Sequence, residues 1–311
     1  MGIACVLPRL TVHMFSTDKL PGDIAMASAA TTTRLRYEAI KPRIGARVLN
    51  SKDELLSGEI SDEIMALLED RGVLVFPAVD FSDEEQVKFS NSLGGSALEI
   101  GEVEQSAVFK VSLDEKVNNA VAEYLKGSLY WHIDGTMNSV PIRASMLTAK
   151  VLAPEGGDTL FANTANAYAD LPEARKSALE GLRVVHSLWR SQLYHTPEPT
   201  MQQLDDWQSK GEAELPLVVS NGNGKKSMVL GNTAHYVKGL DPKDSYNLLN
   251  SLREFATGED YMYQHVWTVG DTVMWDNRTS LHKATPYDPY CGRMMHRTII
   301  KGGEAWEASA F

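Results

Sequence analysis

The chain has 311 residues, of which 43% are hydrophobic and 23% are charged, a composition typical of a globular protein with a substantial core. Its net charge of −11 argues against nucleic acid or an anionic membrane as a partner, because neither attracts an acidic protein. Two cysteines at opposite ends of the chain, Cys5 and Cys291, are too few for a disulfide framework and fit a reducing compartment. No apolar run approaches the roughly 20 residues that span a bilayer. We therefore expect a cytoplasmic protein.

Residues 1–33 are predicted to be an N-terminal extension, because regular patterning begins only at residue 34. The segment lacks the basic start and the long apolar stretch of a signal peptide. A second methionine, Met26, is consistent with an upstream start codon, and a weak organelle-targeting segment is the alternative.

Residues 34–311 are predicted to form one domain made of short strands and a few helices. The predicted strands lie within residues 34–50 (two strands), 73–77, 107–113, 144–154, 156–163, 215–231 (a hairpin), 262–277 (a pair around a Gly-Asp turn) and 293–302. The predicted helices lie within residues 57–72, 81–95, 165–182 and 241–258. Without βαβ alternation, this order predicts a mainly β fold with helices (α+β), namely a double-stranded β-helix, or jelly roll, decorated with helices.

The segment 190–214 is polar, contains prolines and has no hydrophobic period. Irregular segments of this length in compact domains are usually functional or disordered. We expect a lid loop over a binding site, and a disordered surface loop is the alternative.

The sequence LYWHIDGTM places His132 and Asp134 two residues apart. On a strand both side chains would point to one face and could share a metal ion. Alone, this pattern is weak, because a surface pair at the end of a strand has the same spacing. His282, which follows a tight turn and an apolar strand, would complete a set of two histidines and one carboxylate, the facial triad of non-haem iron oxygenases.

The last predicted strand carries Arg293 and Arg297, which are four residues apart and so share one side of a regular strand. Inside a jelly roll, two guanidiniums require anions, and a dicarboxylate offers the matching bidentate geometry. Pairing with internal carboxylates is the alternative. His296, between them, points the other way and is expected to be structural.

Together, these residues resemble the taurine dioxygenase/2,4-dichlorophenoxyacetate dioxygenase family of iron(II)/2-oxoglutarate-dependent oxygenases, from about residue 34 to about residue 303. The family pattern is H-x-D, then Thr or Ser, then a distal His and an Arg. Here it is met by His132 and Asp134, by Thr159 in GGDTLFAN, by His282 and by Arg293.

The resemblance implies that His132, Asp134 and His282 bind iron(II) and that Thr159 and Arg293 bind the co-substrate 2-oxoglutarate, with O2 as oxidant. Arg297 matches the position that faces the anionic group of a substrate. The implied reaction is hydroxylation of a small anionic molecule, or its cleavage by hydroxylation beside a heteroatom, with release of succinate and CO2. A homo-oligomer is expected by analogy with the family.

Two positions narrow the expected chemistry. Taurine enzymes of the family have an asparagine where this chain has Ser128, so taurine is not the expected substrate. Stretches such as MVLGNTAHYVKGL are more similar to the aryloxyalkanoate branch of the family. Relatives that halogenate their substrates have a small residue in place of the carboxylate. Because this chain retains Asp134, we expect hydroxylation or another oxidation and not halogenation. A zinc-type metallohydrolase could use the same three ligands, and a non-catalytic jelly-roll binding protein is the other alternative.

Overall fold

Short strands dominate the computed structural model, which describes residues 34–95, 108–119, 121–221, 224–303 and 305–306. The predicted N-terminal extension, residues 1–33, lies outside the described residues. Among the described helices, none is long and apolar enough to cross a membrane.

The strands of the described chain are three to eight residues long. They are β1 (Tyr37–Ala39), β2 (Ala46–Val48), β3 (Val73–Phe76), β4 (Phe109–Val111), β5 (Ala144–Val151), β6 (Thr159–Asn163), β7 (Arg183–Ser187), β8 (Glu212–Pro216), β9 (Val218–Ser220), β10 (Lys226–Met228), β11 (Ala234–Val237), β12 (Met262–His265), β13 (Thr272–Asp276), β14 (Ser280–Ala284) and β15 (Met294–Ile300).

The helices of the described chain are mostly short and lie between the strands. They are α1 (Lys52–Ser57), α2 (Ser61–Arg71), α3 (Asp83–Ser92), α4 (Ala122–Leu125), α5 (Thr164–Asp170), α6 (Glu173–Leu179), α7 (Leu188–Gln192), α8 (Met201–Gln208) and α9 (Pro242–Ala256), with 3-10 turns at Lys126–Leu129 and Glu259–Tyr261.

A seven-stranded sheet in the order β1-β2-β3-β13-β5-β15-β4 is the largest, and β12-β6-β14 forms a second sheet. Strands β11-β7-β8 and β10-β9 form two smaller sheets. The central strands β3, β5 and β13 are buried on both faces, which explains their nearly continuous apolar sequences. The predicted mainly β fold with helices and a jelly-roll core is confirmed.

The core has three parts, and one of them supports the site. Side chains of the large sheet pack against Phe161 of β6 and against Trp267, forming an aromatic-rich layer between the two main sheets. A second cluster lies between the large sheet and helices α1 to α3. The third fills the space around α5, α6, α9 and the two smaller sheets.

The structure differs from the sequence-based expectations in three local features. Strands β12 and β13 do not pair with each other: β12 pairs with β6, and β13 pairs with β3 and β5, so the Gly-Asp turn joins two sheets. The segment 190–214 is not irregular throughout, since it contains α8 and the start of β8. Helix α1, which was not predicted, begins at a capping box formed by Ser51 and Glu54.

Candidate active site

The two histidines of the predicted triad are joined through their backbones. His132 and His282 form an antiparallel bridge in which each N–H donates to the other residue's carbonyl at 3.0 Å. Their rings are consequently neighbours, with centroids 4.0 Å apart. His282 lies on β14, so the second sheet fixes the position of both rings.

Asp134 reaches the histidines from a turn. The expectation that His132 and Asp134 share one face of a strand is wrong, because Asp134 opens the turn that follows the bridge. Gly135 permits this turn with a φ of +66°, and a Cβ there would lie 2.7 Å from the Ile142 side chain. Asp134 Oδ1 still lies 3.7 Å from His132 Nε2 and 3.6 Å from His282 Nε2.

The protonation of this cluster suits a cation. His132 Nδ1 lies 2.8 Å from the Tyr130 carbonyl, which only accepts, so Nδ1 carries the hydrogen and the Nε2 lone pair faces Asp134. Burial, together with the neighbouring His282, lowers the pKa of His132 to about 3. Burial alone would raise the pKa of Asp134, but His282 and Arg297 outweigh it and hold that pKa well below its ordinary value.

The donor set fits iron(II). One ligand atom from each of the three residues lies within 4.8 Å of the other two, and two imidazoles with one carboxylate are the ligands of non-haem iron oxygenases. Among the described residues, no other group of three such side chains is this close.

Buried polar side chains form a hydrogen-bonded chain that ends at Oδ2 of Asp134. Ser145 on β5 donates to Asp134 Oδ2 at 2.6 Å, and Asn277 donates to Ser145 Oγ at 2.9 Å. The Trp275 indole N–H donates to Asn277 Oδ1 at 3.1 Å. Trp275 also lines the His282 ring, with centroids 4.6 Å apart.

Thr159 begins β6 and is 5% exposed. It pairs with His265 on β12 and with Ala284, two residues beyond His282 on β14. Its Oγ accepts a hydrogen bond from the Trp267 indole at 3.1 Å, so the hydroxyl hydrogen can be donated to a ligand oxygen.

Arg293 is 4% exposed and lies just before β15. A register shift between Met294 and Met295 separates it from the regular strand, so the predicted four-residue spacing does not by itself place it beside Arg297. Its guanidinium donates to the Gly157 carbonyl at 2.9 Å and lies 4.6 Å from the centre of the Tyr287 ring.

The Arg293 Nε is buried and has no hydrogen-bond partner among the described residues. Burial lowers the pKa of Arg293, although the group remains a cation at neutral pH. A buried guanidinium with an unsatisfied N–H fits a carboxylate, and Thr159, two residues after Gly157, offers a neutral donor at the same end of β6. This arrangement suits one end of 2-oxoglutarate.

Arg297 extends from β15 toward the triad. Its Nη1 lies 3.8 Å from Asp134 Oδ1, and its side chain is 12% exposed. The guanidinium carbon lies 5.1 Å from the Phe109 ring centre. His296 points away and contacts Asp83 of α3 at 2.5 Å, consistent with the structural role expected from the sequence.

Sequence reasoning missed Ser145, Asn277 and Trp267. Each contacts a predicted site residue only through the fold, because folding brings together positions far apart in the chain. For Ser145 and Asn277 the available signal was a polar side chain within or beside an apolar strand, as in ASMLTA and TVMWDN.

Comparison with known proteins agrees with this geometry. The sequence matches the family described as "Taurine catabolism dioxygenase TauD, TfdA family" over residues 36–299. It is 33% identical over 273 residues to an alpha-ketoglutarate-dependent 2,4-dichlorophenoxyacetate dioxygenase of Cupriavidus pinatubonensis, covering 81% of this chain and 92% of that protein. It is 35% identical over 247 residues to a (S)-phenoxypropionate/alpha-ketoglutarate-dioxygenase of Sphingobium herbicidovorans, covering 76% and 84% of the two chains.

A solved structure is also similar. The crystal structure of AAD-2 in complex with Mn(II) and N-oxalylglycine has a TM-score of 0.75 and 26% identity, covering 88% of this chain and 99% of that one. These matches confirm the prediction of an iron(II)- and 2-oxoglutarate-dependent dioxygenase that uses O2, and they do not support the zinc hydrolase or the non-catalytic binding protein. The chain therefore belongs to the taurine catabolism dioxygenase TauD, TfdA family.

Proposed function

We propose that this dioxygenase oxidises a C–H bond beside a heteroatom in a small anionic organic molecule. The observation that carries the proposal is the position of Arg297, a largely buried cation 3.8 Å from Asp134 in the candidate metal centre. An anionic group paired with this guanidinium would anchor the rest of a small substrate next to the metal.

In this proposal each site residue has a separate role. His132, Asp134 and His282 hold iron(II), while Thr159 and Arg293 hold the 2-oxoglutarate carboxylate that does not bind the metal. When bound, iron(II) with O2 and 2-oxoglutarate supplies the oxidising power: one oxygen atom enters the substrate C–H bond, and the other enters the succinate formed as CO2 leaves.

The chain itself prepares this chemistry by fixing protons and charges. The Tyr130 carbonyl keeps His132 in the tautomer whose Nε2 can ligate. The Trp267 indole leaves the Thr159 hydroxyl free to donate. The aromatic layer around Phe161 and Trp275 limits water beside the reacting groups.

The relatives' names support the substrate class. 2,4-Dichlorophenoxyacetate and phenoxypropionate are both carboxylates with a C–H bond beside an ether oxygen. Hydroxylation at that carbon gives a hemiacetal-type product that breaks apart, so oxidation and ether cleavage are one sequence. We infer the same outcome here for an ether, ester or amine substrate.

The test is a substrate panel read out by succinate formation, spanning aryloxyalkanoates, alkyl sulfates, sulfonates and N-substituted amino acids. For the best substrate, Arg297→Ala should raise KM at least about tenfold, because a charge-assisted hydrogen bond contributes about 1.5–3 kcal/mol. Arg175→Ala is the matched control, since its guanidinium bonds Ser251 at the surface. An unchanged KM in Arg297→Ala would contradict the proposed anion contact.

We also propose that residues 190–214 act as a lid. The Tyr194 ring in this segment lies 5.1 Å from the Tyr130 ring, two residues before His132. Helix α8, in the same segment, has no buried residue, so it can move at little cost in packing.

We further propose a cytoplasmic homo-oligomer. The cytoplasmic location rests on the low cysteine content, and the oligomer rests on family analogy. Light scattering coupled to size exclusion tests the second point, and a monomeric mass would contradict it.

A further inference from the structure

The two oxygens of the Asp134 carboxylate have different surroundings. Oδ1 faces His132 and His282 at 3.7 and 3.6 Å, and Arg297 Nη1 lies 3.8 Å from it. Oδ2 faces the opposite way and accepts the Ser145 hydroxyl at 2.6 Å, a distance typical of a strong hydrogen bond to a carboxylate. The protein therefore holds Oδ2 with a short hydrogen bond, whereas Oδ1 is directed at the two candidate metal-binding imidazoles.

The direction of the hydrogen bonds behind Asp134 is fixed by an indole. Because the Trp275 N–H can only donate, the Asn277 atom 3.1 Å away must be the amide oxygen. The backbone N–H of Asp134 donates to that same oxygen at 3.3 Å. The Asn277 amide nitrogen must then face Ser145.

The amide orientation determines where the Ser145 hydrogen points. Asn277 Nδ2 donates to Ser145 Oγ at 2.9 Å, so the serine oxygen acts as acceptor on that side. Its single hydrogen is left for Asp134 Oδ2. Each side chain therefore donates a hydrogen bond to the next: Trp275 donates to Asn277, Asn277 to Ser145, and Ser145 to Asp134.

Solvent cannot replace these bonds, because Ser145 and Asn277 are completely buried and Trp275 is 2% exposed. The sheet also sets their spacing: Trp275 on β13 pairs directly with Ser145 on β5. In such surroundings an unmade hydrogen bond costs more than at the surface.

We propose that Trp275, Asn277 and Ser145 are positioning residues that hold Asp134 as a ligand through one oxygen only. The proposal rests on the metal role assigned to Asp134 under the proposed function. Loss of the Ser145 hydroxyl frees Oδ2, so the carboxylate can rotate away from the histidines or offer both oxygens to the metal.

The first test measures Mn(II) binding to the full-length metal-free protein by calorimetry, without turnover. Ser145→Ala should weaken Mn(II) binding by about tenfold or more, as is usual for partners of metal ligands. Ser245→Ala is the matched control, because its hydroxyl is equally buried and makes one short bond, at 2.6 Å, to the Val237 N–H in another part of the core. The control should bind Mn(II) with affinity within about twofold of the wild type.

A second test separates ligand positioning from general loosening. The visible d–d spectrum of the Co(II)-loaded protein should change in Ser145→Ala, because a second carboxylate oxygen alters the coordination number, and should stay unchanged in Ser245→Ala. Trp275→Phe should weaken Mn(II) binding less than Ser145→Ala, because Trp275 contacts Asn277 and makes no hydrogen bond to the Asp134 carboxylate itself.

The outcomes distinguish this inference from the proposed function. If Asp134→Ala abolishes Mn(II) binding while folded Ser145→Ala keeps wild-type affinity and an unchanged Co(II) spectrum, the positioning role is wrong and the ligand role stands. If Asp134→Ala binds Mn(II) like the wild type, the ligand role is wrong, and the positioning role fails with it.

Discussion

Gly157 brings the backbone close to the Arg293 guanidinium at the candidate 2-oxoglutarate site. Its φ is +75°, and a Cβ at this position would lie 2.8 Å from Arg293 Nε. Its carbonyl also accepts the Arg293 hydrogen bond, so the residue serves the site both by its small size and by its backbone oxygen. Glycine is required here for space as well as for conformation.

Gly157→Ala should therefore displace Arg293 and raise the Kd for 2-oxoglutarate at least about tenfold, since a charge-assisted hydrogen bond contributes about 1.5–3 kcal/mol. Calorimetry in the presence of Mn(II) and without O2 measures this Kd. Gly239→Ala is the matched control: its φ is +83°, but a Cβ there meets nothing within 4 Å. If Gly157→Ala and Gly239→Ala have equal Kd values, contact between a Cβ at position 157 and Arg293 does not control 2-oxoglutarate binding.

At the scale of elements, helices α3 and α8 have the same N-terminal device but different packing. Each begins with a capping box, Ser82 with Glu85 in α3 and Thr200 with Gln203 in α8. Helix α3 packs on β15 and buries Phe89, whereas α8 buries no side chain. The same local interaction should therefore have different consequences for global stability.

Ser82→Ala should lower the free energy of unfolding by about 1 kcal/mol, the usual cost of losing an N-cap. Thr200→Ala should change it by less than about 0.5 kcal/mol, because α8 can fray without opening the core. Urea unfolding followed by circular dichroism gives both values. Equal losses would mean that α8 unfolds together with the core.

How far the sequence predicted each element depended on where its stabilising contacts lie. Strands such as β3 and β5 were predicted because both faces are buried and their sequences are apolar. Helix α1 was missed because it has six residues and little hydrophobic period, although its capping box was visible. The β12–β13 pair was predicted from adjacency in the chain, which does not show that a turn crosses between sheets.

In the candidate site, too, residues with a recognisable sequence pattern could be predicted, whereas residues that act through strand pairing could not. The spacing of His132, Asp134 and His282 was readable, and the structure brings these three side chains together. Their metal role and the ligand roles of Thr159, Arg293 and Arg297 remain predictions. Ser145 and Trp267 could not be assigned from one sequence, because their contacts depend on the register of strands far apart in the chain.

At the scale of the whole molecule, buried neutral histidines link stability to pH. His186 is completely buried on β7, in the middle of the β11-β7-β8 sheet, and contacts the Thr233 hydroxyl at 3.0 Å. Loss of solvation lowers the pKa of His186 to about 3, from a usual value of 6.5.

The unfolded chain therefore binds more protons at His186 than the folded chain does between pH 6.5 and pH 3. The contribution of the neutral His186 ring to the free energy of unfolding is fully present above pH 6.5. It is lost as the pH falls through this window. The pKa of His186 in the folded chain lies well below 5. The loss in free energy of unfolding between pH 7 and pH 5 is therefore set almost entirely by the pKa of histidine in the unfolded chain, and it amounts to about 2 kcal/mol.

His186→Gln removes this titration, so its free energy of unfolding should fall by about 2 kcal/mol less than that of the wild type between pH 7 and pH 5. The comparison concerns the pH dependence within each protein, so a lower absolute stability of the variant does not affect it. Urea titrations at the two pH values supply the measurement. If both proteins lose the same free energy on acidification, His186 does not titrate as a buried neutral group, and the acid sensitivity of the fold arises at other residues.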